Sequence, residues 1–212
     1  STYAGVGTDP QAGCFCHPSA AAIKTSWANS AHANIFKEGV TGYLEVERGK
    51  GAYATACIKC HTVGWDKNAN NNNFGLLTKT SGWDTTWYQG LEFLNGDYWI
   101  PTGDTSKWNL LTASEQSMGT IGCESCHGPL TDHKMTADPS KAGKSLSGDL
   151  CNQCHDGSRR HSLGTYYNLS KHKELPTGVA SEGGRAQCQP CHTGAGCLYY
   201  ENHGKDTTGI AA

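Results

Sequence analysis

Four copies of one pentad, Cys-x-x-Cys-His, constrain this chain more than any other feature of its sequence. A random arrangement of the same composition would contain roughly 0.03 such pentads, so their number is not accidental. Four-cysteine zinc sites or a disulfide framework would explain the paired cysteines, but not the histidine after every second one. The pentads are CIKCH at 57–61, CESCH at 123–127, CNQCH at 151–155 and CQPCH at 188–192.

The spacing of the pentad predicts covalent attachment of c-type haem. Positions i, i+3 and i+4 share one face of a helical turn, so two thiols can reach the two vinyl groups of one porphyrin while the imidazole faces its iron. The predicted cofactors are therefore four c-type haems. The attachment residues are Cys57, Cys60, Cys123, Cys126, Cys151, Cys154, Cys188 and Cys191, and the proximal ligands are His61, His127, His155 and His192.

The composition favours an interior that porphyrins fill, and not aliphatic side chains. Only 36% of the 212 residues are hydrophobic, and 27 are glycine. Such a chain buries little surface to offset the entropy lost on folding. We therefore predict a multihaem cytochrome c fold in a single domain, residues 1–212, mostly irregular coil with short helices that carry the pentads.

Two segments are predicted to depart from this plan. Residues 19–38 should form one longer N-terminal helix, with Ser19 as its cap and Gly39 as its stop. Residues 62–122 contain neither Cys nor His but hold five of the six tryptophans. We interpret this insertion as a small flap that covers haem edges, with a contact between subunits as the alternative.

The insertion also carries two local signals. LEFL-NG-DYWI at 91–100 predicts a β-hairpin, because Asn-Gly suits the positive φ angles of a tight two-residue turn. The asparagine-rich run at 68–74 predicts a loop.

Six further histidines are candidates for the second axial position of each iron. Four would give bis-histidine coordination throughout, which leaves two spare. An iron between two imidazoles has no open position for a substrate, so the histidine count predicts electron transfer and no enzymatic activity. The distal candidates are His17, His32, His133, His161, His172 and His203.

Haem attachment and charge lead to expectations about location. Covalent attachment takes place outside the cytoplasm, so we expect export through the periplasm, with the signal peptide already removed before Ser1. No run of 18 apolar residues that could span a membrane is present. The formal charge of −2 falls to about −6 when four oxidised bis-histidine haems add about −1 each. The sequence contains no basic patch that would indicate binding to nucleic acid.

A fifth stretch, GCFCH at 13–17, is one residue short of the pentad. Cys14 and Cys16 would lie about 200° apart around a helical turn, so they cannot both reach one porphyrin. We interpret this stretch as a lost haem site; a single thioether at Cys16 with His17 as ligand is the alternative. Cys197 is then predicted to form a disulfide with either Cys14 or Cys16, and the odd thiol has no assigned role.

Two stretches resemble the tetrahaem cytochromes c of the hydroxylamine pathway of nitrifying bacteria. They are TSWANSAH at 25–32 and CESCHGPLTDH at 123–133. The resemblance implies that His32 ligates the haem of the CESCH pentad, and that His172 ligates the haem of the CNQCH pentad. The chain departs from that family in its reduced first motif and in its additional C-terminal pentad.

The whole pattern is still more similar to the tetrahaem cytochromes that metal-reducing bacteria polymerise outside the cell into conductive filaments. The similarity covers the length, the placement of four motifs, the Asn- and Trp-rich insertion and the surplus of histidines. It implies a head-to-tail homopolymer in which one axial histidine comes from the neighbouring subunit. His17 is the favoured donor and His133 the alternative, because both match ligands of the first haem in the hydroxylamine-pathway family.

Three functions follow from these observations. The favoured one is electron transfer through closely packed haems in an extracellular conductive filament that delivers respiratory electrons to external acceptors. The first alternative is a soluble, monomeric periplasmic shuttle that docks on redox partner proteins. The second is a small-nitrogen-oxide oxidoreductase with one haem left open.

Overall fold

The structure is a computed structural model, and it describes residues 2–3, 5, 20–44, 53–136, 138, 140, 143, 148–156, 162–169, 187–188, 190, 199–201 and 203–208. The chain divides into two compact units, Ser1–Lys144 and Ser145–Ala212. The single-domain organisation expected from the sequence stays a prediction. No helix in the described ranges is both long and apolar enough to cross a membrane.

Short helices and one small antiparallel sheet confirm those parts of the predicted fold class. In the described part of the first unit the elements are α1 (Ala20–Ala28), α2 (Ala31–Val40), α3 (Thr55–His61), α4 (Phe74–Ser81), α5 (Trp83–Thr86), β1 (Glu92–Leu94), β2 (Asp97–Trp99), α6 (Ser106–Asn109), α7 (Ala113–Met118), α8 (Cys123–His127) and α9 (Thr131–Thr136). The second unit contains α10 (Gly148–His155) and α11 (Leu163–Leu169).

The prediction of one long helix over residues 19–38 is wrong, because the chain forms the two helices α1 and α2. Ser30, in extended backbone, separates them, and its side chain accepts a hydrogen bond from the Ala33 amide as the N-cap of α2. Gly39, the predicted stop, lies inside α2. Ser19, the predicted cap, lies outside the described residues.

The first unit has a hydrophobic core made of side chains, which corrects the expectation that the composition leaves the interior to porphyrins. Seven of its eleven buried members come from residues 62–122, so this insertion is the core of the unit and not a flap. Aromatic rings dominate, since each buries a large apolar area: Phe36 contacts Phe74 edge-on at 5.1 Å, and Trp83 stacks on Trp87 at 5.8 Å. The core residues are Phe36, Val40, Tyr53, Ile58, Val63, Phe74, Trp83, Trp87, Ile100, Leu111 and Met118.

The two local predictions within the insertion are confirmed. Strands β1 and β2 pair antiparallel, and Asn95 and Gly96 form the turn with φ angles of 53° and 90°. Positive φ at both turn residues is the geometry that Asn-Gly favours. The loop predicted at 68–74 runs to Asn73, whose side chain caps α4 by accepting a hydrogen bond from a backbone amide of the first turn.

The second unit is packed differently. Helix α11 approaches α10 at Gly164, where a Cβ atom would lie 2.5 Å from the Asn152 side-chain oxygen. No hydrophobic side chain is buried among the residues described in this unit. Leu163, Tyr166 and Leu169 on α11 are 63%, 69% and 80% exposed.

Candidate haem sites

The first pentad, CIKCH, occupies the C-terminal end of α3. Its imidazole, His61, is only 9% exposed, and its Nδ1 atom lies 2.9 Å from the hydroxyl oxygen of Tyr53. Between the cysteines, Ile58 is buried in the core, whereas Cys57 and Cys60 are half-buried. The core therefore anchors one side of the pentad, and the bond at Nδ1 leaves Nε2 as the nitrogen that could ligate an iron.

Tyr53 was not anticipated from the sequence, since no motif includes it. Its hydroxyl lies in a fully buried setting, and this burial, more than the neighbouring Cys57 and Cys60, raises the pKa of Tyr53 well above its usual value. The phenol therefore stays neutral and can accept the Nδ1 proton of His61.

The second pentad, CESCH, forms the whole of helix α8. Cys123, Cys126 and His127 are exposed. The Nδ1 atom of His127 lies 2.5 Å from the carbonyl oxygen of Gly143, and the Gly143 amide donates to the carbonyl of His127 at 2.8 Å. The imidazole is again bonded through Nδ1 to an oxygen, and Gly128, with φ of 72°, ends the helix.

A buried carboxylate lies inside this pentad. Glu124 is 5% exposed, and its two oxygens accept hydrogen bonds from the backbone amides of Gly5 and Leu130, each at 2.8 Å. These bonds join the N-terminal segment, the pentad and the turn that follows it. Sequence reasoning missed Glu124, because the two central positions of the pentad carry no chemical signature.

The third pentad, CNQCH, ends helix α10. Cys151 is exposed, and Cys154 and His155 are half-buried. The contact of Gly164 with Asn152, the residue after the first cysteine, brings α11 against this pentad. The exposed apolar side chains of α11 therefore belong to a helix that packs directly on a predicted haem-binding helix.

The fourth pentad, CQPCH, lies largely outside the described residues. Cys188 is half-buried and Pro190 follows it, while Cys191 and His192 fall outside the description.

Among the distal candidates, His32 is held beside the second pentad by its backbone. Its carbonyl oxygen accepts a hydrogen bond from the Ile121 amide at 3.1 Å and one from the Thr120 hydroxyl at 3.3 Å. The indole Nε1 of Trp27 donates to the Ile121 carbonyl at 2.9 Å. Since Ile121 stands two residues before Cys123, these bonds fix the start of α2 next to the start of α8. The side chain of His32 is exposed.

His203 repeats the bonding pattern of the pentad histidines. Its Nδ1 atom lies 2.8 Å from the carbonyl oxygen of Tyr199, and the two rings stack with their centroids 3.8 Å apart. His133 belongs to α9, but its side chain is not described. Predicted residues outside the description are His17, His161, His172, Cys14, Cys16 and Cys197.

The described donor groups fit covalently bound haem. An oxygen within hydrogen-bond distance of Nδ1, as at His61, His127 and His203, favours the proton on that nitrogen. The lone pair then lies on Nε2, the atom that would ligate an iron.

Two family models match the chain. The model described as cytochrome c554 and c-prime matches residues 14–81, which include the CIKCH pentad. The model described as cytochrome c7 and related cytochrome c matches residues 111–193, which include the other three pentads. No curated protein and no solved structure matches the chain significantly. Because each pentad lies within a match to a haem-carrying family, the chain is a multihaem cytochrome of the c type that binds haem covalently and transfers electrons.

Proposed function

We propose that this cytochrome carries four haems, one on each pentad, with histidine on both sides of every iron, and that it is the subunit of an extracellular conductive filament. In this role it passes respiratory electrons to external acceptors and catalyses no reaction of its own. The observation that carries the proposal is the set of bonds that holds His32 beside the second pentad.

The bis-histidine part of the proposal follows from that placement. A histidine outside any pentad has its backbone bonded to the segment that leads into Cys123. The exposed imidazole of His32 is therefore near the site where Cys123 and Cys126 would hold a haem. With His32 as the second ligand, that iron has no position left for a substrate.

The residues of the chain hold and shield the redox groups. When bound, each haem supplies an iron that alternates between the ferric and ferrous states. The pentad cysteines would attach the porphyrin, and Nε2 of His61 and of His127 would ligate iron. Oxygens of Tyr53 and Gly143 orient these imidazoles through Nδ1. At CIKCH, the buried side chain of Ile58 keeps water from one side of the pentad.

The count of four haems is supported by the contrast between the two units. The first unit has a core cluster of eleven buried hydrophobic side chains, and of its two pentads only CIKCH contributes a member, Ile58. The described part of the second unit exposes large apolar side chains next to its pentad, including Tyr166 and Leu169. Porphyrins on CNQCH and CQPCH would cover such side chains and supply the apolar interior.

The filament part rests on the sequence pattern and on the exposed hairpin. Ten histidines exceed the eight axial positions of four irons by two, so a histidine is available for a neighbouring subunit. The hairpin exposes Phe93, Leu94 and Trp99 by 59%, 48% and 45%. By the strand register, Leu94 and Trp99 share one face of the hairpin and Phe93 lies on the other. Exposed apolar side chains are typical of contact surfaces, which supports the subunit contact considered for the insertion.

The test is to purify the haem-loaded protein and measure its mass, its size and its spin state. Four haems by intact mass, elution in the void volume and filaments in cryo-electron micrographs are expected, with every ferric haem low-spin. A monomer with four low-spin haems would favour the soluble shuttle instead. A high-spin ferric haem would favour the oxidoreductase, and a mass without haem would overturn all three functions.

A further inference from the structure

The hydrogen bond between Tyr53 and His61 has a role beyond the anchoring of α3. We propose that Tyr53 is a positioning residue for the haem on Cys57 and Cys60: its buried hydroxyl fixes the ring orientation and the tautomer of His61, and thereby lowers the reduction potential of that haem. The inference rests on the haem-carrying function of the CIKCH pentad.

The phenol ring of Tyr53 is held on several sides. It contacts Phe36 and Trp87 edge-on, each with centroids 6.2 Å apart, and its backbone forms an isolated antiparallel bridge with Tyr98. Tyr53 is 4% exposed. Its hydroxyl therefore has little freedom to turn away from His61.

A glycine in α2 makes room for this ring. A Cβ atom at Gly39 would lie 2.3 Å from Cε2 of Tyr53 and 2.5 Å from Cδ2. Any side chain at this position would displace the ring, because Cβ atoms do not approach ring carbons so closely. Gly39 thus has a packing function inside the helix, and it supports the placement of the Tyr53 hydroxyl.

The chemical consequence follows from the atoms involved. With Nε2 of His61 on an iron, Nδ1 carries a proton and donates it to the Tyr53 oxygen at 2.9 Å. Such a bond increases the basicity of the imidazole as a ligand, and a more basic ligand stabilises the ferric state. The corresponding bond of His127 goes to the Gly143 backbone carbonyl. Of these two acceptors, that of His61 belongs to a side chain and can be removed by substitution.

The experiment compares Tyr53→Phe with Tyr98→Phe in the haem-loaded full chain. Tyr98 belongs to the same aromatic cluster, and its ring stacks on Tyr88 at 4.7 Å. In Tyr53→Phe, redox titration should show one midpoint potential shifted upward while the others stay unchanged. Electron paramagnetic resonance should show altered g values for one low-spin haem. Tyr98→Phe should leave both measurements as in the wild type.

Gly39→Ala provides a second route to the same change, since it displaces the ring but keeps the hydroxyl. Should neither variant fold, the exchangeable Nδ1 proton of His61 in the reduced wild type decides by NMR. It should exchange with solvent more slowly than that of the exposed His127.

The outcomes separate this inference from the haem assignment. Unchanged potentials and g values in Tyr53→Phe, or a His61 proton that exchanges as fast as that of His127, would overturn the role of Tyr53 alone. A wild-type CIKCH peptide without the mass of a haem would overturn the haem assignment and this inference together.

Discussion

Trp27 donates a hydrogen bond from its indole Nε1 to the carbonyl oxygen of Ile121 at 2.9 Å, across 94 residues of sequence. The bond joins α1 to the segment that leads into the second pentad. It acts with the two bonds to the His32 carbonyl. The bond of Trp27 on α1 thus helps to place His32, the distal ligand candidate at the start of α2.

Trp27→Phe should loosen this arrangement. Loss of the indole donor removes one partly buried hydrogen bond, so the free energy of unfolding should fall by about 1 kcal/mol. If His32 ligates the haem of CESCH, a fraction of that haem should become high-spin. Denaturant unfolding and electron paramagnetic resonance measure the two effects. Trp99→Phe, on the exposed hairpin, is the matched control, and a fully low-spin Trp27→Phe protein would argue against His32 as the ligand.

Glu124→Gln should destabilise the first unit without changing the haem count. The carboxylate accepts two backbone amide protons in a buried position, and an amide side chain offers only one oxygen. Hydrogen bonds to charged groups contribute about 2 kcal/mol each, so a loss of that order is expected in denaturant unfolding. Glu92→Gln on strand β1 should cost little, because Glu92 is exposed. Equal stabilities of the two variants would show that Glu124 anchors nothing.

Alkaline pH should destabilise the protein through Tyr3. Burial, and secondarily the charge of Glu124, raises the pKa of Tyr3 above its usual value of about 10. The folded state then keeps a proton that the unfolded state loses, so stability is full below about pH 10 and falls as the pH rises through the folded pKa. Tyr3→Phe should flatten this fall. Tyr43→Phe, at an exposed position, should leave the pH dependence as steep as in the wild type.

Haem number should follow the pentads one by one. Replacing both cysteines of a single pentad by alanine removes both thioether bonds, so intact mass should drop by one haem in each of four such variants. Cys16→Ala should not change the haem mass, since GCFCH lacks the spacing for two thioethers. A haem lost from Cys16→Ala would establish the single-thioether site that we set aside.

One of the two surplus histidines should be required for polymerisation. His17→Ala and, separately, His133→Ala test the donor to the neighbouring subunit, and we expect His17→Ala to abolish filaments in electron micrographs and yield monomers on size exclusion. Lys134→Ala, next to His133 on α9, is the control. Filaments with fully low-spin haems in both histidine variants would refute the exchange of a ligand between subunits.

The local features of the chain were predictable from the sequence. The CIKCH, CESCH and CNQCH pentads lie within helices α3, α8 and α10, and the Asn95-Gly96 turn connects the two strands where expected. In each case the determining residues are within five positions of one another, so that backbone geometry alone relates them. Ser30 shows the limit of this reasoning, because a cap inside an otherwise helical pattern divided one predicted helix into two.

Composition gave a wrong expectation for the interior of the first unit. A low hydrophobic content suggested that side chains could not form a core, yet a few large rings do so in the first unit, because one buried tryptophan covers as much apolar area as several small aliphatic residues. Trp83 and Trp87, taken as parts of a flap, lie 3% and 0% exposed in that core. The position of a tryptophan in the sequence does not reveal whether its ring faces inward.

The sequence by itself determined where haem attachment is expected, because two thioether bonds and one iron ligand require a fixed spacing along a single turn of helix. Only the tertiary structure decided which groups surround those attachment points. Tyr53 reaches His61, Glu124 reaches Gly5 across 119 residues, and Trp27 reaches Ile121. Such contacts arise from the packing of separate elements, which no spacing between neighbouring residues encodes.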